Sequence, residues 1–150
     1  MDEKAFTQLL ESNGIAYRVM RHKPVYTVAE SCAERGAKPE EETKNLLLKD
    51  GKGFFLLVLP GDRRADFTAL AKARGGGRAA LATPQEVKEQ TCVEVGAVNL
   101  FSHPVVFVDE RVLALPQLFI HPDDNAVSVC VETKAALSLV KAPVFGKFSK

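Results

Sequence analysis

The chain has no hydrophobic run long enough to span a membrane. Its longest, Phe54 to Leu59, holds six residues, whereas a transmembrane helix needs roughly 20. The start, Met1-Asp2-Glu3-Lys4, carries two acids and leads straight into helical spacing, unlike a secretory signal. A cytoplasmic protein with no membrane partner is therefore expected. Cysteine is scarce: Cys32, Cys92 and Cys130 are odd in number, widely spaced and never form CxxC. That pattern excludes a disulfide framework. His22, His103 and His121 are equally scattered, so no zinc-ligand spacing exists and no metal is expected. Charge of one sign is lacking too. Twenty Lys and Arg against 19 Asp and Glu leave a net +1, where a duplex DNA binder is usually far more basic. Near-neutrality still suits a protein that grips only the end of an RNA.

What is present fits one ordinary globular domain. Residues 1–150 are enough to bury a core without metal or disulfides. Phe6, Leu9 and Leu10 lie on one helical face that stops at Asn13-Gly14, and Ile15 to Arg21 reads as a strand. Thr27-Val-Ala-Glu30 is a capping-box sequence, predicting a helix from Thr27 to about Glu34 with a stop at Gly36. Two apolar strands, Lys44 to Lys49 and Phe54 to Leu59, flank Asp50-Gly51-Lys52-Gly53 as a hairpin. Their unbroken apolar character predicts burial on both faces. Asp66 to Arg74 reads as a helix closed by Gly75-Gly76-Gly77. Thr83-Pro84-Gln85-Glu86 is a second capping box with proline at the first helical position. Strands are expected at Val105 to Val108, Arg111 to Leu115, Leu118 to Ile120 and Ala126 to Val131, and a last helix at Glu132 to Val140. The basic tail, 141–150, is expected to be loose or only lightly docked. The predicted architecture is α/β: a mixed, mostly antiparallel sheet or open barrel surrounded by helices.

Several chemistries have no support. The triple glycine closes a helix, whereas a phosphate loop follows a strand and opens one. No serine sits in a GxSxG elbow. Spacing alone leaves a cysteine nucleophile open, but Cys32 lies on the helix after Thr27 and Cys130 within a hydrophobic strand, where thiols usually act as small apolar residues. Polar residues that interrupt apolar strands are more informative. Lys44 opens a buried strand, so its ammonium must reach the rim, a carboxylate or a pocket. His121-Pro122-Asp123-Asp124-Asn125 follows Leu118-Phe119-Ile120, where a ligand role and a simple Asx turn are both open. Gly96 in Val95-Gly96-Ala97-Val98-Asn99 permits close backbone approach or a turn.

Their order carries more than any one of them. His22-x-Pro24-x-x-Thr27-x-x-Glu30, Thr43-Lys44-Asn45-Leu46-Leu47-Leu48-Lys49-Asp50, the segments 66–73 and 82–87, Val95-Gly96-Ala97-Val98-Asn99-Leu100-Phe101, and His121 through Val129 occur in sequence. Together they resemble the YbaK/prolyl-tRNA synthetase-associated (ProX-like) editing family over about residues 15 to 140. The freestanding alanyl-tRNA(Pro) deacylase branch is the nearest match. One departure stands out: Leu100 occupies the position of the family's loop proline, so the resemblance does not fix that loop's rigidity or the side chain its pocket admits.

The resemblance implies hydrolysis of the ester of mischarged aminoacyl-tRNA without metal, cofactor or covalent intermediate. The ribose hydroxyl of the terminal adenosine would assist the water. It implies Lys44 as the catalytic group, polarising the 3′ end, and Asn45 placing the substrate backbone. Gly96, Ala97 and Val98 would line the side-chain pocket. His121 and Asn125, with Thr27 and His22 nearby, would position adenosine or the substrate ammonium. The implied partners are the 3′ acceptor end of mischarged tRNA and prolyl-tRNA synthetase. For the acceptor stem, Lys72, Arg74, Arg78 and the basic tail are candidates without a motif. Two rivals remain from other classes: a non-catalytic aminoacyl-tRNA or synthetase binding module, and a small-molecule hydrolase on the same fold.

Overall fold

A computed structural model describes residues 1–150. Helix α1 (Glu3–Ser12) is capped by the Asp2 carboxylate, which accepts from the Ala5 N–H. Strand β1 (Tyr17–Arg21) follows, then α2 (Val28–Arg35), closed by Gly36 in the left-handed conformation. Only half of the first capping box forms. Thr27 Oγ1 accepts from the Glu30 N–H, while the Glu30 carboxylate takes the threonine hydroxyl proton, not a backbone one. The hairpin is present as β2 (Thr43–Asp50) and β3 (Gly53–Pro60), with helix α3 (Phe67–Arg74) beyond it. A short strand, β4 (Ala80–Leu81), precedes α4 (Pro84–Thr91), whose capping box at Thr83 and Glu86 is complete. The chain ends in β5 (Val106–Asp109), β6 (Gln117–Ile120), β7 (Val127–Glu132), α5 (Thr133–Ser138) and β8 (Val144–Gly146).

Two sheets result. One is antiparallel, in the order β1-β7-β6; the other is mixed, in the order β4-β2-β3-β5-β8, with parallel pairs at β3–β5 and β5–β8. Neither closes into a barrel, so the open mixed sheet is the correct member of the expected pair. The period of two along β3 sorts its side chains. Leu56 and Val58 join Leu47, Val106 and Val108 in the main core, which also takes in Leu118, Ile120, Val129 and Val131 of the other sheet. Phe55, Leu57 and Leu59 point the other way, into a second core with Phe107, Leu70 and Phe148. Burial on both faces thus holds for β3, whereas much of β2 is only half-buried.

Two expectations need correction. Arg111 to Leu115 is no strand: Glu110–Ala114 is a 3-10 helix that buries Val112. The tail is not loose. Strand β8 pairs in parallel with β5, and Phe148 is only 4% exposed against Phe107. The wholly buried Asp109 carboxylate accepts from the Phe148 N–H (2.9 Å) and the Ser149 hydroxyl (2.8 Å). Arg64 and Lys150 exchange backbone hydrogen bonds, which ties the end of the chain to the loop after β3.

Candidate active site

A cavity of about 230 Å³ opens where α2, the start of β2 and the 3-10 turn Val95–Ala97 meet. Its position follows from strand pairing. Strand β3 flanks β2 along its whole length, but β4 covers the other edge only at Leu48 and Lys49. Thr43 to Leu46 therefore keep an open edge. Lys44 and Asn45 leave opposite faces of the strand, yet both border the cavity because it lies along that edge.

Lys44 is half-buried and takes part in none of the molecule's ion pairs. Desolvation pulls its pKa below the ordinary lysine value; Asp62 opposes the shift and Arg64 adds to it. Asn45 supplies a second reactive feature: its Oδ1 is buried and has no hydrogen-bond partner. An amide oxygen in that state costs free energy until a donor reaches it.

The remaining expected residues separate into three groups. Thr27, Gly96, Val98 and His121 line the cavity with Lys44 and Asn45. Gly96 is there for space: a Cβ would lie 2.7 Å from the Val25 carbonyl oxygen and 3.2 Å from the Tyr26 Cα. Ala97 lies in the main core instead, because its turn points it away from the opening. His22 and Asn125 stand behind the wall. Asn125 accepts from the Val25 N–H through its carbonyl and sits beside Gly96.

His22, half-buried, belongs to a hydrogen-bonded relay that runs outward to the surface. Arg35 Nη1 donates to Ser128 Oγ (2.6 Å), Ser128 to His22 Nε2 (2.7 Å), and His22 Nδ1 to the Lys23 carbonyl (2.8 Å). His121 packs edge-on to His22 and gives its Nδ1 proton to the Val127 carbonyl (2.8 Å). Burial pushes the His121 pKa down, which keeps the ring neutral and leaves Nε2 as an acceptor.

The departure at Leu100 has a structural answer. Leu100 is 2% exposed in the main core. Asn99, also buried, donates to the His121 carbonyl (2.7 Å) and accepts from the Phe101 N–H (2.8 Å), while its own N–H reaches Ser102 Oγ (2.9 Å). Hydrogen bonds and one buried side chain do the stiffening that a proline would do through its fixed φ.

Sequence reasoning missed the polar floor. Arg35 and Glu42, each with a side chain 2% exposed, form a bidentate ion pair in the cavity lining, with the guanidinium 4.5 Å above the Phe119 ring. Ser31, one helical turn before Arg35, lines the same wall. The only local signal was a polar pair at i and i+4 on a short helix. Tyr26, at the rim, is 63% exposed. No cysteine borders the cavity, and burial raises the Cys32 thiol pKa. No group of three or more His, Cys, Asp or Glu is placed to hold a metal ion. Of the acceptor-stem candidates, Arg74 is already paired with Asp50 at 2.7 Å, both side chains buried. No helix is long and apolar enough to cross a membrane.

Comparison with known proteins agrees with the resemblance read from the sequence. The prolyl-tRNA editing protein ProX of Acetoanaerobium sticklandii is 27% identical over 152 residues, covering 95% of this chain and 93% of its own. The multifunctional Ser/Thr-tRNA deacylase ProXp-y of Escherichia coli K12 is 34% identical over 134 residues, covering 86% and 78%. A crystal structure of a hypothetical protein superposes with a TM-score of 0.85 at 25% identity, covering 97% of this chain and 99% of that one. A structure described as a candidate trans-editing enzyme for prolyl tRNA synthetase gives 0.81 at 24% identity, over 98% and 96%, and shares the fold. The family model described as aminoacyl-tRNA editing domain matches residues 22–139. The chain belongs to that editing family, the YbaK/ProX-like group.

Proposed function

We propose that this protein hydrolyses the ester linking a small, wrongly attached amino acid to the 3′ end of tRNA. The observation that carries the reading is the Lys44 ammonium: unpaired, partly desolvated and at the open edge of β2, in a cavity that Asn45, with its orphaned side-chain oxygen, also lines. Water adds to the ester carbonyl carbon, and negative charge gathers on the carbonyl oxygen. An ammonium in a poorly solvated site stabilises that charge more than it would in bulk water. The carbon–oxygen bond to the ribose then breaks, the ribose oxygen takes up a proton, and free amino acid leaves. The ester is already activated, so no protein nucleophile is needed; the neighbouring ribose hydroxyl orients the water. Asn45 Oδ1 accepts from the amino acid's α-ammonium, which supplies the donor it lacks.

The cavity suits a second sieve. A synthetase rejects a side chain one methylene smaller than its cognate by only roughly 1–3 kcal/mol, so a separate small site must remove the intruder. Prolyl-tRNA synthetase is the enzyme whose errors would be cleared. The sequence resemblance puts alanine on tRNA(Pro) first; the ProXp-y relative's printed name and the polar floor favour a second reading, serine and threonine.

The test is direct. Purified protein incubated with tRNA(Pro) and tRNA(Ala) carrying alanine, cysteine, serine or proline should shorten the life of a small non-cognate ester and spare proline on tRNA(Pro). Lys44→Ala should lower the rate by about 10²–10³-fold, the cost of removing one oxyanion donor, with an unchanged circular dichroism spectrum. Equal rates for parent and variant would falsify the role given to Lys44.

A further inference from the structure

We propose that Ser31 makes the cavity a receptor for a β-hydroxyl, so that serine and threonine esters are cleaved in preference to alanine. The proposal rests on the hydrolase reading above and adds the substrate's side chain to it. Ser31 is 8% exposed and lines the cavity from α2. Hydroxyls in helices commonly bond a carbonyl one turn back, as Thr7 does to Glu3 and Thr91 to Val87. Ser31 does not: its N–H reaches the Thr27 carbonyl, while its hydroxyl makes no bond within the chain and is not among the fully buried unpartnered oxygens, so it stays open to the cavity it lines.

Its surroundings keep the choice narrow. Arg35 and Glu42 lie on the same wall but satisfy each other, with Ser128 taking a third guanidinium proton. They give the wall polarity without offering an open carboxylate. Ser31 is thus a nearly buried hydroxyl that faces the cavity with both a proton to give and lone pairs to share. A substrate hydroxyl can occupy either role. Alanine offers neither and would leave Ser31 desolvated and unpaired; a cysteine thiol is only a weak partner. Polar sites of this kind reject an analogue lacking the hydroxyl, whereas a purely apolar pocket hardly distinguishes the two.

The experiment compares ester loss from tRNA charged with serine, threonine or alanine, using the whole chain as parent, Ser31→Ala and Ser31→Cys. The parent should prefer serine and threonine over alanine, and each variant should lower the serine-to-alanine ratio of kcat/KM by roughly tenfold. The cysteine variant preserves side-chain size, so the result does not depend on one substitution being well packed. A ratio that stays the same in both folded variants overturns the assignment while leaving hydrolysis intact. A parent that prefers alanine also overturns it. A parent that cleaves none of the three esters removes the hydrolase reading, and this proposal with it.

Discussion

Lys44 sits near the head of a strand that continues through Asn45 into three leucines, and partial burial there lowers its pKa. Two charges on the loop after β3 act on it in opposite senses, Asp62 upward and Arg64 downward. If the ammonium is the working form, activity fades as pH rises through the folded-state pKa. That point lies below the roughly 10.4 of an exposed lysine. The expected profile of kcat/KM, corrected for spontaneous ester hydrolysis, has an alkaline limb earlier than that value. A profile still flat at pH 10 would contradict the assignment. Lysine at the head of an apolar strand was legible in the sequence as a residue needing an outlet. The orphaned Asn45 oxygen was not, because orphanhood depends on what every neighbouring element fails to supply.

At the scale of elements, two contacts hold the cavity walls in place. The Val95–Ala97 turn presses against the Val25-Tyr26 backbone so closely that Gly96 has no room for a side chain. Gly96→Ala must shift one backbone or the other. We expect at least a tenfold loss of deacylation together with a lower melting temperature, since Val25 on one side of the contact and Ala97 on the other are buried. The second contact joins α2 to the residue before β2. Removing the carboxylate with Glu42→Ala strands a guanidinium that is 2% exposed. Breaking such a pair from one side costs about 3–5 kcal/mol, measurable as a lower urea midpoint at constant m. Caps, glycine stops and the hairpin turn were readable from sequence because each depends on residues at most a few positions apart. The Arg35–Ser128 bond spans 93 residues, and no local period announces it.

For the whole molecule, the last segment is part of the second core rather than an appendage. Deleting residues 144–150 removes β8, uncovers Phe107 and leaves Asp109 with two unused acceptors in a buried position. Loss of a buried phenylalanine alone costs about 3–5 kcal/mol. A fall in melting temperature on the order of 10 °C is expected for a chain of this size, by calorimetry or circular dichroism. A change of less than about 2 °C would show that the strap is dispensable. The truncation also frees Arg64, whose backbone pairs with Lys150, so the electrostatic surroundings of Lys44 change with it.

Composition and order in the chain already determined the α/β class, the central hairpin, the helix ends and the family, together with the lysine on which the chemistry is argued. Those features are set by side-chain period, turn chemistry and a run of motifs, all of which act over short stretches. Only the tertiary structure decided that the tail docks, that 111–115 turns instead of extending, and that Ala97, His22 and Asn125 stand outside the cavity. It alone brought Ser31, Arg35 and Glu42 to the cavity's floor. The physical reason is the same in each case. A parallel pairing such as β3 with β5, or a buried ion pair, is stabilised by what surrounds it after folding, and that surrounding is drawn from distant parts of the chain.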